Sequence, residues 1–92
     1  MSKLIRIERT IAKYSINNEK IISEEIIAIP IETLISIVTP RDDDPELFGG
    51  YPLDENQLSE INDHLKNKLA FNFSVYYYVL ECTGIYDNNL GD

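Results

Sequence analysis

Phe71-Asn72-Phe73-Ser74-Val75-Tyr76-Tyr77-Tyr78-Val79-Leu80-Glu81-Cys82 is the stretch on which the fold turns. Its density of aromatic and β-branched residues makes it the strongest strand in the chain. A period of two sorts Phe71, Phe73, Val75, Tyr77 and Val79 onto one face and Tyr76, Tyr78 and Leu80 onto the other. The odd face is apolar enough to form the centre of the core, so Tyr76 and Tyr78 are expected to point away from it. Gly84 marks the end, and Asp87 to Asp92 reads as a frayed tail.

Working outward, Leu4 to Ile16 reads as a half-buried strand, with Ile5 and Ile7 on one face and Arg6, Glu8 and Thr10 on the other. Asn17-Asn18-Glu19-Lys20 supplies turn residues that tolerate positive φ, and Ile21 to Ile29 resumes a strand, which makes a β-hairpin. Neither face of that second strand is cleanly polar, so a helix is expected to cover one of them. Pro30 suits a first helical turn, and Ile31, Leu34, Ile35 and Val38 follow at i, i+3, i+4 and i+7. Pro40 ends this helix, and Arg41 to Pro52 has the Pro, Gly and Asp density of an irregular loop. Asp54 and Gln57 form a capping box that starts a second helix, with Leu58, Ile61 and Leu65 as its buried stripe.

The order is β-β-α-α-β, which predicts an α+β fold: a small antiparallel sheet of about three strands with two helices on one face. The last strand is expected beside the amino-terminal one. Ile5, Ile7, Leu34, Ile35, Leu58, Ile61 and Leu65 are expected to join the odd face of the last strand in the core. The 92 residues are expected to form a single domain, because a second core would leave each half too short to fold unaided.

Eight Lys and Arg against sixteen Asp and Glu give a net charge of −8 and a pI near 4.5. Such a field repels phosphate backbones and anionic lipid, so neither nucleic acid nor a membrane is expected as a direct partner. One cysteine, Cys82, allows no intramolecular disulfide. The amino terminus interrupts its apolar residues with charges, unlike a signal peptide, and the longest apolar run, Val75 to Leu80, is far below the ~20 residues of a membrane span. A cytoplasmic location is expected.

No residue pattern carries catalysis, a metal or a cofactor, and the chain is not expected to be an enzyme. An EF-hand loop beginning at Asp42 requires Gly and Glu where Leu47 and Leu53 stand. His64 has no nucleophile at readable spacing, Cys82 has no local basic group, and Gly49-Gly50 lacks the Lys-Ser or Lys-Thr of a P-loop. Two features exceed background. Residues 1 to 20 hold five basic and two acidic side chains, whereas residues 21 to 65 hold eleven acidic ones against Arg41 alone. That acidic field either steers a cationic protein partner or serves solubility. Tyr76 and Tyr78, if outward, either meet a protein ligand or lie beneath another part of the chain. The candidate partner-binding residues are therefore Asp42, Asp43, Asp44 and Glu46 on the long loop, with Glu24, Glu25, Tyr76 and Tyr78.

Tyr14, the Ser23-Glu24-Glu25-Ile26 stretch, Asp44-Pro45, Tyr51-Pro52-Leu53-Asp54-Glu55-Asn56-Gln57 and Tyr76 to Cys82 together resemble a family of small bacterial proteins. They are built as a hairpin, a Tyr-Pro-Leu helix start and a Tyr-rich closing strand. Small acidic proteins of this type resemble immunity proteins encoded beside toxins, including those of contact-dependent growth inhibition systems. The similarity spans Ile7 to Cys82 and carries no catalytic residue. It implies a protein that binds and neutralises a cognate toxin domain, commonly a nuclease, by occluding its basic active-site region. The alternative is a structural or regulatory protein-interaction subunit without an inhibitory role.

Overall fold

The hairpin turn shows how local chemistry starts this fold. Ser15 N–H donates to Lys20 O (2.9 Å), Glu19 N–H donates to Ser15 O (2.8 Å), and Asn18 Oδ1 accepts from Lys20 N–H (3.0 Å). Glu19 takes a positive φ of 57° to close it. The computed structural model describes residues 3–87. Its elements are β1 (Lys3–Ser15), β2 (Ile21–Ile27), α1 (Ile31–Ile37), β3 (Tyr51–Leu53), α2 (Glu55–Asp63) and β4 (Tyr76–Asp87).

The four strands form an antiparallel sheet of order β2-β1-β4-β3. The fold is α+β, as expected, with β4 beside β1 and one more strand than expected. The added strand, β3, lies at the end of the stretch expected to be loop; its three residues pair with Tyr78 to Leu80. Pro52 at its centre is tolerated because β3 is an edge strand. β1 and β4 pair from Lys3↔Asp87 to Ser15↔Tyr76, whereas β2 reaches only from Arg9 to Tyr14. The far ends of β1 and β4 therefore form a two-stranded ribbon beyond the four-stranded part, and the molecule measures 48 × 30 × 29 Å.

One hydrophobic cluster joins both helices to one face of the sheet. Leu34, Leu47, Leu58, Ile61 and Leu80 are fully enclosed, and Ile11, Ile27, Ile29, Val38, Tyr51, Leu53 and Tyr78 complete the cluster. Asp54 caps α2 as the sequence predicts: its carboxylate accepts from Gln57 N–H (2.8 Å) and Gln57 Oε1 accepts from Asp54 N–H (2.9 Å).

The face of the last strand is the reverse of that expected. Phe71 and Phe73 precede β4, separated from it by a turn in which Asn72 O accepts from Val75 and Tyr76 N–H and Asn72 Oδ1 accepts from Ser74 N–H. That turn breaks the alternation. Phe71 and Phe73 still reach the core side, with ring centroids 6.5 and 5.0 Å from Tyr78, but inside the strand the even residues Tyr78 and Leu80 face inward. Val75 is exposed, and Tyr77 and Val79 lie half-buried on the opposite face.

Three further core expectations, Ile5, Ile7 and Ile35, are corrected. Ile5 and Ile7 are exposed because they stand on the ribbon, past the reach of either helix. Ile35 is exposed because α1 has two turns and commits Leu34 to the core. Leu65 lies past the end of α2 and is partly buried, packed against the cluster.

Candidate partner-binding surface

The long loop is tied down from within. Asp44 accepts from Phe48 N–H (2.9 Å), Gly49 N–H (2.9 Å) and the Tyr51 hydroxyl (2.7 Å). The Tyr51 hydroxyl also accepts from Arg41 N–H (3.1 Å), and the Arg41 guanidinium lies 4.3 Å from the centre of the Tyr51 ring. Donation from Tyr51, then from Gly49, holds the Asp44 carboxyl below its ordinary value, against a lesser upward push from burial. Burial first, opposed by donation from Arg41 N–H, raises the Tyr51 phenol. Arg9 of β1 fastens the other side, donating to Glu46 O (2.7 Å) with its guanidinium over the Phe48 ring. Leu47, at a positive φ of 57°, buries its side chain completely.

Of the four loop carboxylates expected to meet a partner, Asp42, Asp43 and Glu46 are exposed, and Asp44 is the internal staple. Glu24 and Glu25 stand exposed on successive positions of β2 and therefore on opposite faces of the sheet. Glu24 accepts from the Thr10 hydroxyl (3.2 Å) on the face without helices. Glu25 lines a shallow groove of about 560 Å³ beside Leu65, Lys66 and Lys68.

The two tyrosines do not stand on an outward face. Tyr78 is 4% exposed in the core, and its hydroxyl accepts from Asn72 N–H (2.9 Å). Tyr76 is half-buried on the same helix side, with Lys13 Nζ 4.6 Å from its ring centre. The surface-anchor role expected of Tyr78 is corrected by that burial.

The face without helices presents another pair instead. Tyr14 and Tyr77 are cross-strand partners with ring centroids 5.1 Å apart and planes 10° from parallel. The Tyr14 hydroxyl donates to Glu81 Oε2 (2.5 Å), and that bond, followed by burial and the charges of Glu81 and Glu24, pushes the phenol up to about 12. The sequence reading missed Tyr14, Tyr77 and Glu81 because it placed Tyr77 in the core. The signal available was the pairing of the chain's first and last strands, which brings the two tyrosines side by side.

His64 caps the C-terminus of α2 in solvent, and Cys82 is a half-buried free thiol opposite Arg9. Among the described residues no three His, Cys, Asp or Glu side chains converge as a metal site, and no helix is long and apolar enough to cross a membrane.

No curated protein and no solved structure matches the chain. A family model does, over residues 8–81, a span that runs from the ribbon's base through the hairpin, both helices and the loop to Glu81. The chain thus belongs to the DUF7683 family, a domain of unknown function.

Proposed function

We propose that this chain is a binding protein that neutralises a basic protein domain, as an immunity protein does a nuclease toxin, by laying an acidic surface over the partner's cationic active-site region. The observation that supports this reading is the disposition of charge. Ten of the eleven carboxylates between residues 21 and 65 are exposed, Asp44 being the exception, and none of the ten sits in an ion pair among the described residues. Three of the five basic side chains of residues 1–20 are engaged elsewhere: Arg6 with Glu8 at 2.9 Å, Arg9 with the loop, Lys13 with Tyr76. A nuclease must gather Lys and Arg around its phosphate site, and an acidic surface competes for that groove without chemistry of its own. Action in the cytoplasm belongs to the same proposal.

The first test is whether a neighbouring gene encodes a toxin, and the second is co-expression with the carboxy-terminal domain of that toxin. A complex that survives purification at low salt, weakens with salt and lacks toxin activity supports neutralisation. No complex, or a complex that leaves the toxin active, ends it. A second reading, a structural or regulatory interaction subunit, draws on the ribbon, where Leu4, Ile5, Ile7 and Tyr86 are 39 to 57% exposed. An assembly held through that apolar end, insensitive to salt, favours the subunit reading.

A further inference from the structure

The four-stranded part of the sheet has two edges, and they are built differently. β3 closes one with three residues and a proline at its centre, so little unpaired backbone is offered there. β2 closes the other with seven residues, four of them isoleucine, and with neither proline nor lysine inside Ile21–Ile27. Its one irregularity is the register shift opposite Lys13 and Tyr14, which leaves Ser23 to Ile27 in regular pairing with β1. Ile26 is the most exposed large apolar side chain among the described residues, at 65%. No segment other than β1 hydrogen-bonds to the backbone of β2 among the described residues.

The groove beside β2 follows that free edge. It touches Glu25, Ile26, Ile27 and Ala28 in succession. Strand side chains alternate between faces, so a depression over one face meets every second residue; contact with four in a row places the groove along the unpaired backbone. Its far wall is the segment after α2, from His64 to Leu69. A smaller hollow of about 280 Å³ shares Glu25, Lys68 and Leu69 with it and continues it to Ser23. In a chain of net charge −8 this wall holds two lysines and no carboxylate. Lys66 stands exposed, and Lys68 keeps its charge while donating to Asn62 O (2.8 Å) and Leu65 O (2.9 Å). An occupant of the groove must therefore be extended, acidic where it meets the wall and apolar on its other side. Glu25 and Ile26 of β2 itself meet both conditions.

We propose that the groove seats the β2 strand of a second copy of this chain, antiparallel, so that the two sheets join into one continuous sheet. A two-fold axis perpendicular to the sheet keeps every residue on its own face, and residues that oppose each other then share parity. Centring the axis on Glu24 or Glu25 sets like charges directly opposite, which is unfavourable. Centring it on Ile26 sets that side chain against its own copy, Glu25 against Ile27 of the second copy and Glu24 against Ala28 of the second copy. Each Glu25 then lies beside the other copy's wall, where Lys66 and Lys68 answer the charge that otherwise keeps acidic edges apart. The long loop leads into β3 at the opposite edge, so the pairing leaves its exposed carboxylates open and does not depend on the toxin reading.

Sedimentation velocity on the full chain over a wide concentration range is the experiment. The unaltered chain is expected to pass from 10.6 kDa to twice that mass as concentration rises. Ile26→Lys is expected to raise the dimer dissociation constant about tenfold or more. Ile22→Lys, on the same strand outside the paired stretch, and Ile5→Lys, on the ribbon, are expected to change it by no more than about twofold. Glu25→Lys or Lys66→Glu alone is expected to weaken the dimer severalfold, and the two in one chain to recover most of that loss, which damage to the fold would not do. The register is read with Ile26→Cys in a Cys82→Ser background. Directly opposed residues stand about 4.5 to 5.5 Å apart at Cα, so oxidation is expected to link two copies at position 26, and to link none when the cysteine replaces Ile22. Should Ile26→Lys fail to fold, the two cysteine variants make the comparison by themselves. A chain that stays monomeric at every concentration overturns the pairing, as does a dimer disrupted by Ile5→Lys and untouched by Ile26→Lys. A dimer that forms with no toxin complex keeps the pairing and removes only neutralisation.

Discussion

Asp44 joins Phe48, Gly49 and Tyr51 through one carboxylate, and its lowered pKa links the loop to acid. A group whose folded value is depressed stabilises fully above its ordinary value, here 3.8, and loses that contribution as pH falls through the folded value. Asp44→Asn is therefore expected to lower the urea midpoint at pH 7 and to flatten its fall below about pH 4. Urea titrations at pH 7 and pH 3 measure both; parallel curves for variant and parent sink the linkage. Tyr14 runs with the opposite sign. Its phenol is raised to about 12 by donation to Glu81, so the contribution is whole below 10 and disappears as pH rises through 12. The chain has six tyrosines and no tryptophan, so phenolate absorbance is easily read. Tyr14→Phe is expected to delete the component that ionises near pH 12, and Glu81→Gln to move it downward. Loss of an earlier-ionising tyrosine from the Tyr14→Phe curve contradicts the assignment.

At the scale of elements, stability should follow which end of β1 a residue occupies. Thirteen residues of strand extend about 43 Å, whereas the seven residues of α1 cover about 10 Å. Ile11→Ala, at 3% exposure, is expected to cost ~2 to 5 kcal/mol, and Ile7→Ala less than ~1 kcal/mol, in urea denaturation with unchanged slope. Leu58→Ala belongs with Ile11, and Leu65→Ala, being half-buried past the helix end, falls between. A cost for Ile7 equal to that of Ile11 means that the ribbon is covered in solution. The same lengths explain what could be read beforehand. The capping box at Asp54 and Gln57 is legible because it closes within four residues, and the hairpin because its turn closes within the six from Ser15 to Lys20. The face of β4 is not, because a period of two assumes one uninterrupted strand and the Asn72 turn resets it. β3 is hidden by its brevity and by Pro52, which pairing with Tyr78 to Leu80 overrides. Among the candidate site residues, Asp42, Asp43, Glu46, Glu24 and Glu25 are exposed as charge alone suggests, whereas Tyr78 and Asp44 depend on neighbours that only the tertiary structure supplies.

At the scale of the whole molecule, the net charge of −8 acts as a field rather than as contacts. On the proposed function, exposed carboxylates on the loop and on α2 are expected to raise the rate at which a cationic partner is drawn in, and residues that close on the partner to set how slowly it leaves. Asp44 must stay out of any test of steering, because replacing it loosens the loop as well as removing charge. Asp42→Asn, Asp43→Asn and Glu46→Gln together leave the staple intact and remove three exposed charges. This triple variant is expected to slow association with the toxin domain severalfold at low salt, to reduce the salt dependence of that rate, and to leave dissociation nearly unchanged. Stopped-flow kinetics at two salt concentrations measure both rates. An association rate untouched by the triple change limits the loop charges to keeping the chain soluble.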